Sequence, residues 1–77
     1  MGITITHREY SKQIDDYIVT NTLVDGYIHK EVAYLSLSTE VHYDDVISCD
    51  NHPSIRVNDI IYTKSFIKCK GTIEPVK

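Results

Sequence analysis

Cys49 and His52 stand two residues apart, a spacing at which a thiolate and an imidazole can hold one zinc ion. His42 and Cys69 would complete a four-ligand set, His-x6-Cys-x2-His-x16-Cys. Structural zinc sites usually carry two close ligand pairs, and here only Cys49 and His52 are close. The residues therefore favour free thiols and solvent-exposed histidines over a metal site, with a Cys49–Cys69 disulfide as a further alternative. No cofactor is implied.

Catalysis finds less to work with. A nucleophile needs a base and an orienting group. Cys49 and His52 could pair, but nothing in the sequence supplies an oxyanion site. Asp15-Asp16 and Asp44-Asp45 are carboxylate pairs, yet sequence neighbours point apart on a helix or a strand. Only three glycines occur, which argues against a glycine-rich phosphate loop. An enzyme is not expected.

Charge offers two binding readings. The chain carries a net charge of −3, with acids crowded before residue 54 and bases after it. Glu31, Glu40, Asp44, Asp45 and Asp50 could present carboxylates to a basic protein surface and speed association by steering. Arg56, Lys64, Lys68 and Lys70, interleaved with Tyr62 and Phe66, suit single-stranded nucleic acid through phosphate neutralisation and base stacking. The acidic balance of the whole chain weighs against the second.

Another route to nucleic acid is a resemblance. Lys30–Ser38, then Tyr43, then Pro53–Asn58, then Thr63–Ile67 is similar to small excisionase-type winged-helix proteins. The resemblance implies a helix-turn-helix, a β-hairpin wing and a closing helix, over about half the chain. It departs at the recognition helix, where Glu40, Asp44 and Asp45 would repel phosphates. Ala and Leu, which promote helices, are also scarce.

The elements that must carry these residues follow from composition and spacing. Seventy-seven residues make one domain, 1–77, with room for one small core. Eleven Ile, seven Val, seven Thr and six Tyr stand against three Leu and one Ala. β-branched and aromatic side chains fit pleated sheets. Ile3–Thr6 alternates as a short strand. Thr6-x-x-Glu9 has capping-box spacing, and Tyr10, Ile14, Tyr17 and Ile18 form one helical stripe. These predict a helix over about 7–19. Asp25-Gly26 and Lys70-Gly71 read as turns, and Asp50–Pro53 reads as a loop. Alternation predicts strands over 32–38 and 40–48, although Ile28, Val32 and Leu35 also fit a short helix. Asn58-Asp59 predicts a hairpin turn that would put Ile55, Val57, Ile60 and Tyr62 on one face; the alternative is one continuous strand. Residues 65–69 and 72–74 read as strands.

The fold expected is α+β and mostly β: one N-terminal helix packed on a small, curved antiparallel sheet or partly closed barrel, with the winged helix as alternative. No apolar run approaches a membrane span, and Met-Gly-Ile-Thr-Ile-Thr lacks the features of a signal peptide. Met1-Gly2 with Thr6 fits the loose myristoylation pattern; a strand reading suits the same residues. The function expected is a small cytoplasmic binding module, possible as a homodimer. It would be of phage, viral or mobile-element type and engage a host protein through an acidic, Tyr-bearing surface. Nucleic acid is the alternative partner.

Overall fold

The computed structural model describes residues 2–50 and 52–74. Six antiparallel strands close into a barrel: β1 (Gly2–Ser11), β2 (Asp16–His29), β3 (Val32–Leu35), β4 (Val46–Cys49), β5 (His52–Tyr62) and β6 (Ile67–Ile73), in the spatial order β1-β2-β3-β6-β5-β4. Neither an N-terminal helix on a sheet nor a winged helix is present. The described residues contain no helix, and hence none long and apolar enough to cross a membrane.

The predicted helix over 7–19 is a β-hairpin. Tyr10 and Tyr17, seven apart, mimic two helical turns. They are in fact cross-strand partners, with rings edge-to-face at 5.5 Å. Between them Ser11 pairs with Asp16, and residues 12–15 turn the chain, with Asp15 at φ 51°. Thr6 does not cap a helix; its hydroxyl donates across the ladder to Asn21 Oδ1 at 2.7 Å. With Ile, Val and Thr dense on both strands, β-propensity outweighs an amphipathic stripe four residues deep.

Two predicted turns lie inside strands. At Gly26 in β2 a Cβ would run into the Tyr34 carbonyl and sit 3.1 Å from Ile3 Cδ1 and Leu35 Cδ2. At Gly71 in β6 a Cβ would strike the Arg56 carbonyl. Both glycines serve close backbone approach in a sharply curved sheet rather than a turn. The reversal predicted at Asp25-Gly26 instead falls at Lys30-Glu31, where His29 pairs with Val32 and Lys30 takes φ 57°.

Asn58-Asp59 is not a hairpin turn either. β5 runs through it, and the register against β6 shifts between Val57 and Asp59, which leaves Asn58 as the extra residue of a bulge. A bulge and a two-residue turn both change the parity of a strand. Ile55 and Val57 therefore face the core before it, and Ile60 packs against the core after it. Tyr62 ends exposed. Of the two strands predicted between 32 and 48, the regular parts are β3 and β4, and the Asp50–Pro53 loop is shorter than expected because β5 begins at His52; Asn51 lies outside the described residues.

Ile3, Ile5, Ala33, Leu35, Ile47, Val57, Ile67 and Cys69 fill the barrel. β3 and β4 lie on opposite sides of the ring, so residues 36–45 must cross one open end. Val41 plugs that end as a buried side chain. The 12–15 and 63–66 turns lie at the same end, and the 30–31 turn and the β4–β5 connection at the other, as alternation around an antiparallel ring requires.

Candidate functional site

The crossing loop brings three side chains together at the end of the barrel that it crosses. His7 comes from β1 just past its last pair with β4, and His42 and Asp45 come from the loop. Asp45 is the one buried charged residue among those described, at 2% exposure. Its Oδ2 accepts the His42 backbone N–H at 2.9 Å, and its Oδ1 lies 2.5 Å from His7 Nδ1. The 42–45 turn is tightened by the Asp45 N–H donating to the His42 carbonyl, and it is tied to β5 by reciprocal backbone bonds with Val57. His42 Nδ1 stands 3.6 Å from Asp45 Oδ2, and the two imidazole centroids are 4.5 Å apart. The hydrogen bond to Asp45 is the main cause that raises the His7 pKa above its ordinary value; burial opposes it, and the charges of Asp45, Glu9 and Glu40 add to it. A cleft of about 220 Å³ opens over the cluster between Ile5, Thr20, Thr22 and Glu40.

Beyond Thr6, β1 has no partner but β2, and β2 meets β3 only from Gly26 onward. Residues 7–20 therefore project as a two-stranded ribbon. Alternation places Tyr10, Tyr17 and Val19 on its outer face, with Ile14 in the turn and Leu23 further along the same face of β2. All five are exposed, Leu23 at 77% and Ile14 at 61%. Arg8 lies over the Tyr17 ring, 4.6 Å from its centroid, and the Tyr10 hydroxyl donates to Asp15. That hydrogen bond, and partial burial after it, raise the Tyr10 pKa.

A third feature is the outer face of β2, β3, β6 and β5. Tyr27, Tyr34, Lys68 and Ile61 follow one another in register across the four strands. Tyr27 stacks on Tyr34 at 4.8 Å and 6°, and Phe66 leans on Tyr34 at 5.4 Å.

The acidic set is not gathered. Glu31 and Asp50 sit at one end of the barrel, Glu40 and Asp44 at the other, and Asp45 is buried. Of the basic set, Lys64 is in the 63–66 turn and Lys68 and Lys70 point outward from β6, while Arg56 is held by Glu74. The four residues of the zinc pattern are scattered. Cys69 faces the core, its thiol pushed up to about 11 by burial and then by the charge of Asp45. Cys49 and His52 pair at the end opposite His42, and both thiols are free. Among the described residues, the group able to hold a metal is His7, His42 and Asp45. His7 was missed because it reads as part of a helix. Its 38-residue separation from Asp45 leaves no local signal. Tyr27 and Tyr34 were missed because strand register, not spacing, unites them.

Comparison with protein-family models, with curated proteins and with solved structures finds no match.

Proposed function

We propose that this protein is a non-enzymatic binding module that engages a protein partner through the outer face of the β1–β2 ribbon. One observation carries the reading: Tyr10, Ile14, Tyr17 and Val19 are exposed together on a ribbon that contributes little to the core, with Leu23 exposed further along the same face of β2. Contiguous apolar and aromatic surface rimmed by charge suits protein docking better than solvent. Arg8, Lys12, Asp15 and Asp16 supply the rim. The free edge of β2 over residues 16–24 adds hydrogen-bonding groups that a partner strand could take up. The expected acidic contact surface thus gives way to an apolar, Tyr-bearing one, with the dispersed carboxylates acting through long-range steering. A reducing compartment such as a host cytoplasm suits the two free thiols.

The second reading is single-stranded nucleic acid on the Tyr27–Tyr34–Phe66 face. The in-register Lys68 favours it, because stacking platforms work beside phosphate-neutralising bases.

One pair of variants separates the two. Val19→Lys with Leu23→Lys should leave the barrel folded and abolish capture of a protein partner. Neutralising Lys64, Lys68 and Lys70 should leave capture intact. Anisotropy titration against labelled single- and double-stranded DNA and RNA completes the test. Tight, steeply salt-dependent binding lost with the lysines would overturn the protein-binding reading.

A further inference from the structure

We propose that His7, His42 and Asp45 form a binding site for a divalent transition-metal ion of the zinc class. The three side chains offer ligand atoms that all lie within 4.8 Å of one another. Two imidazole nitrogens and a carboxylate oxygen are a donor set that zinc and its neighbours accept. In a tetrahedral site with bonds of about 2.0–2.1 Å, ligand atoms sit roughly 3.3 Å apart. His42 Nδ1 stands 3.6 Å from Asp45 Oδ2, near that spacing, while His7 Nδ1 stands 2.5 Å from the other oxygen, Oδ1. An ion held on one carboxylate oxygen therefore needs the His7–Asp45 pair to part and the carboxylate to tilt as the ion takes the place of the proton between them.

The surroundings are those of a built site. Asp45 is buried and its Oδ2 is oriented by the His42 backbone N–H, an outer-sphere contact of the kind that fixes metal ligands. The loop carrying it is pinned to β5 at Val57 and plugged by Val41, so the carboxylate has little freedom to turn away. The cleft above the cluster leaves a fourth position open. Thr20 and Thr22 line it, and Glu40 reaches to 3.5 Å from His42 Nε2. A water can take that position, while Glu40, on the Nε2 side of His42, can orient that ring from outside the ligand set. The ion would staple β1 to the loop that closes the barrel, so binding should also raise the melting temperature.

The experiment is a calorimetric titration of chelator-treated protein with zinc alone, repeated with cobalt and read by visible absorption. The result expected is one ion per chain, with cobalt bands of nitrogen and oxygen ligation and no thiolate charge-transfer band. His7→Gln and His42→Gln should each weaken binding at least about tenfold, while Cys49→Ser and His52→Gln leave it unchanged. His42→Gln is the safer variant, because its side chain is half-exposed and its backbone N–H still reaches Asp45. No binding at millimolar zinc overturns the proposal and leaves the cluster a hydrogen-bonded clasp. So does binding that survives both Gln variants, or a thiolate band that moves the ion to a cysteine.

Discussion

Asp45 is a buried carboxylate whose partners all lie in or against the loop that closes the barrel. Removing it orphans the His42 backbone N–H and frees His7, so Asp45→Ala should cost roughly 1–3 kcal/mol, or about 4–8 °C in Tm per kcal/mol for a domain of this size. Asp44 next door is exposed and takes φ 70°, a conformation that Asn also tolerates. Asp44→Asn should change stability by less than about 0.5 kcal/mol. Thermal melts of the two variants check both, and equal losses would contradict the assignment of Asp45 to the clasp. The thiols separate in the same manner. Cys69 faces the core with its pKa pushed up to about 11, and Cys49 is half-buried on β4. Near pH 8 an alkylating reagent should label Cys49 in the folded protein and reach Cys69 only on unfolding. Mass spectrometry of the labelled peptides reads the outcome; equal labelling would place Cys69 outside the core.

At the level of elements, the strand character of the chain was legible and its connections were not. Ile3–Thr6 alternates as a strand and lies within β1, and of the strand expected over 65–69 the part from Ile67 onward lies within β6, because β-branched residues on one buried face leave a period-two mark. Tyr10, Ile14, Tyr17 and Ile18 misled because a tight hairpin brings residues seven apart face to face, which is the spacing of two helical turns. The parity change between Val57 and Ile60 was visible, but parity alone does not distinguish a bulge from a turn. Gly26 and Gly71 resemble turn residues until the sheet they bend against is known. They lead to a sharp prediction. Gly26→Ala would push a methyl into the Tyr34 backbone and should destabilise by about 1–3 kcal/mol or more. Gly2→Ala meets the far end of exposed Leu23 at 3.2 Å, and that side chain can swing aside. Denaturant melts should therefore show a large shift for the first and less than about 0.5 kcal/mol for the second; tolerance of Gly26→Ala would mean that β2 and β3 approach less closely than described.

At the scale of the whole molecule, closure removes the edges that a short open sheet would expose. It also gathers most contacts over long sequence distances, including the β1–β4 pairing and the His7–Asp45 contact. No local pattern encodes such contacts, which is why the His7–His42–Asp45 cluster and the aromatic face stayed hidden while the composition already spoke for β. Closure leaves one element unsheltered, the ribbon of residues 7–20, and the partner-binding reading rests on its outer face. Site-specific photo-crosslinking tests that claim most directly. A photoreactive phenylalanine analogue would replace Tyr17 on the ribbon in one sample and Tyr27, on the aromatic face that carries Lys68, in another, each exposed to the lysate in which the protein acts. The account predicts a discrete protein adduct from position 17 and none from position 27. Adducts confined to position 27, or adducts that are nucleic acid, would contradict it.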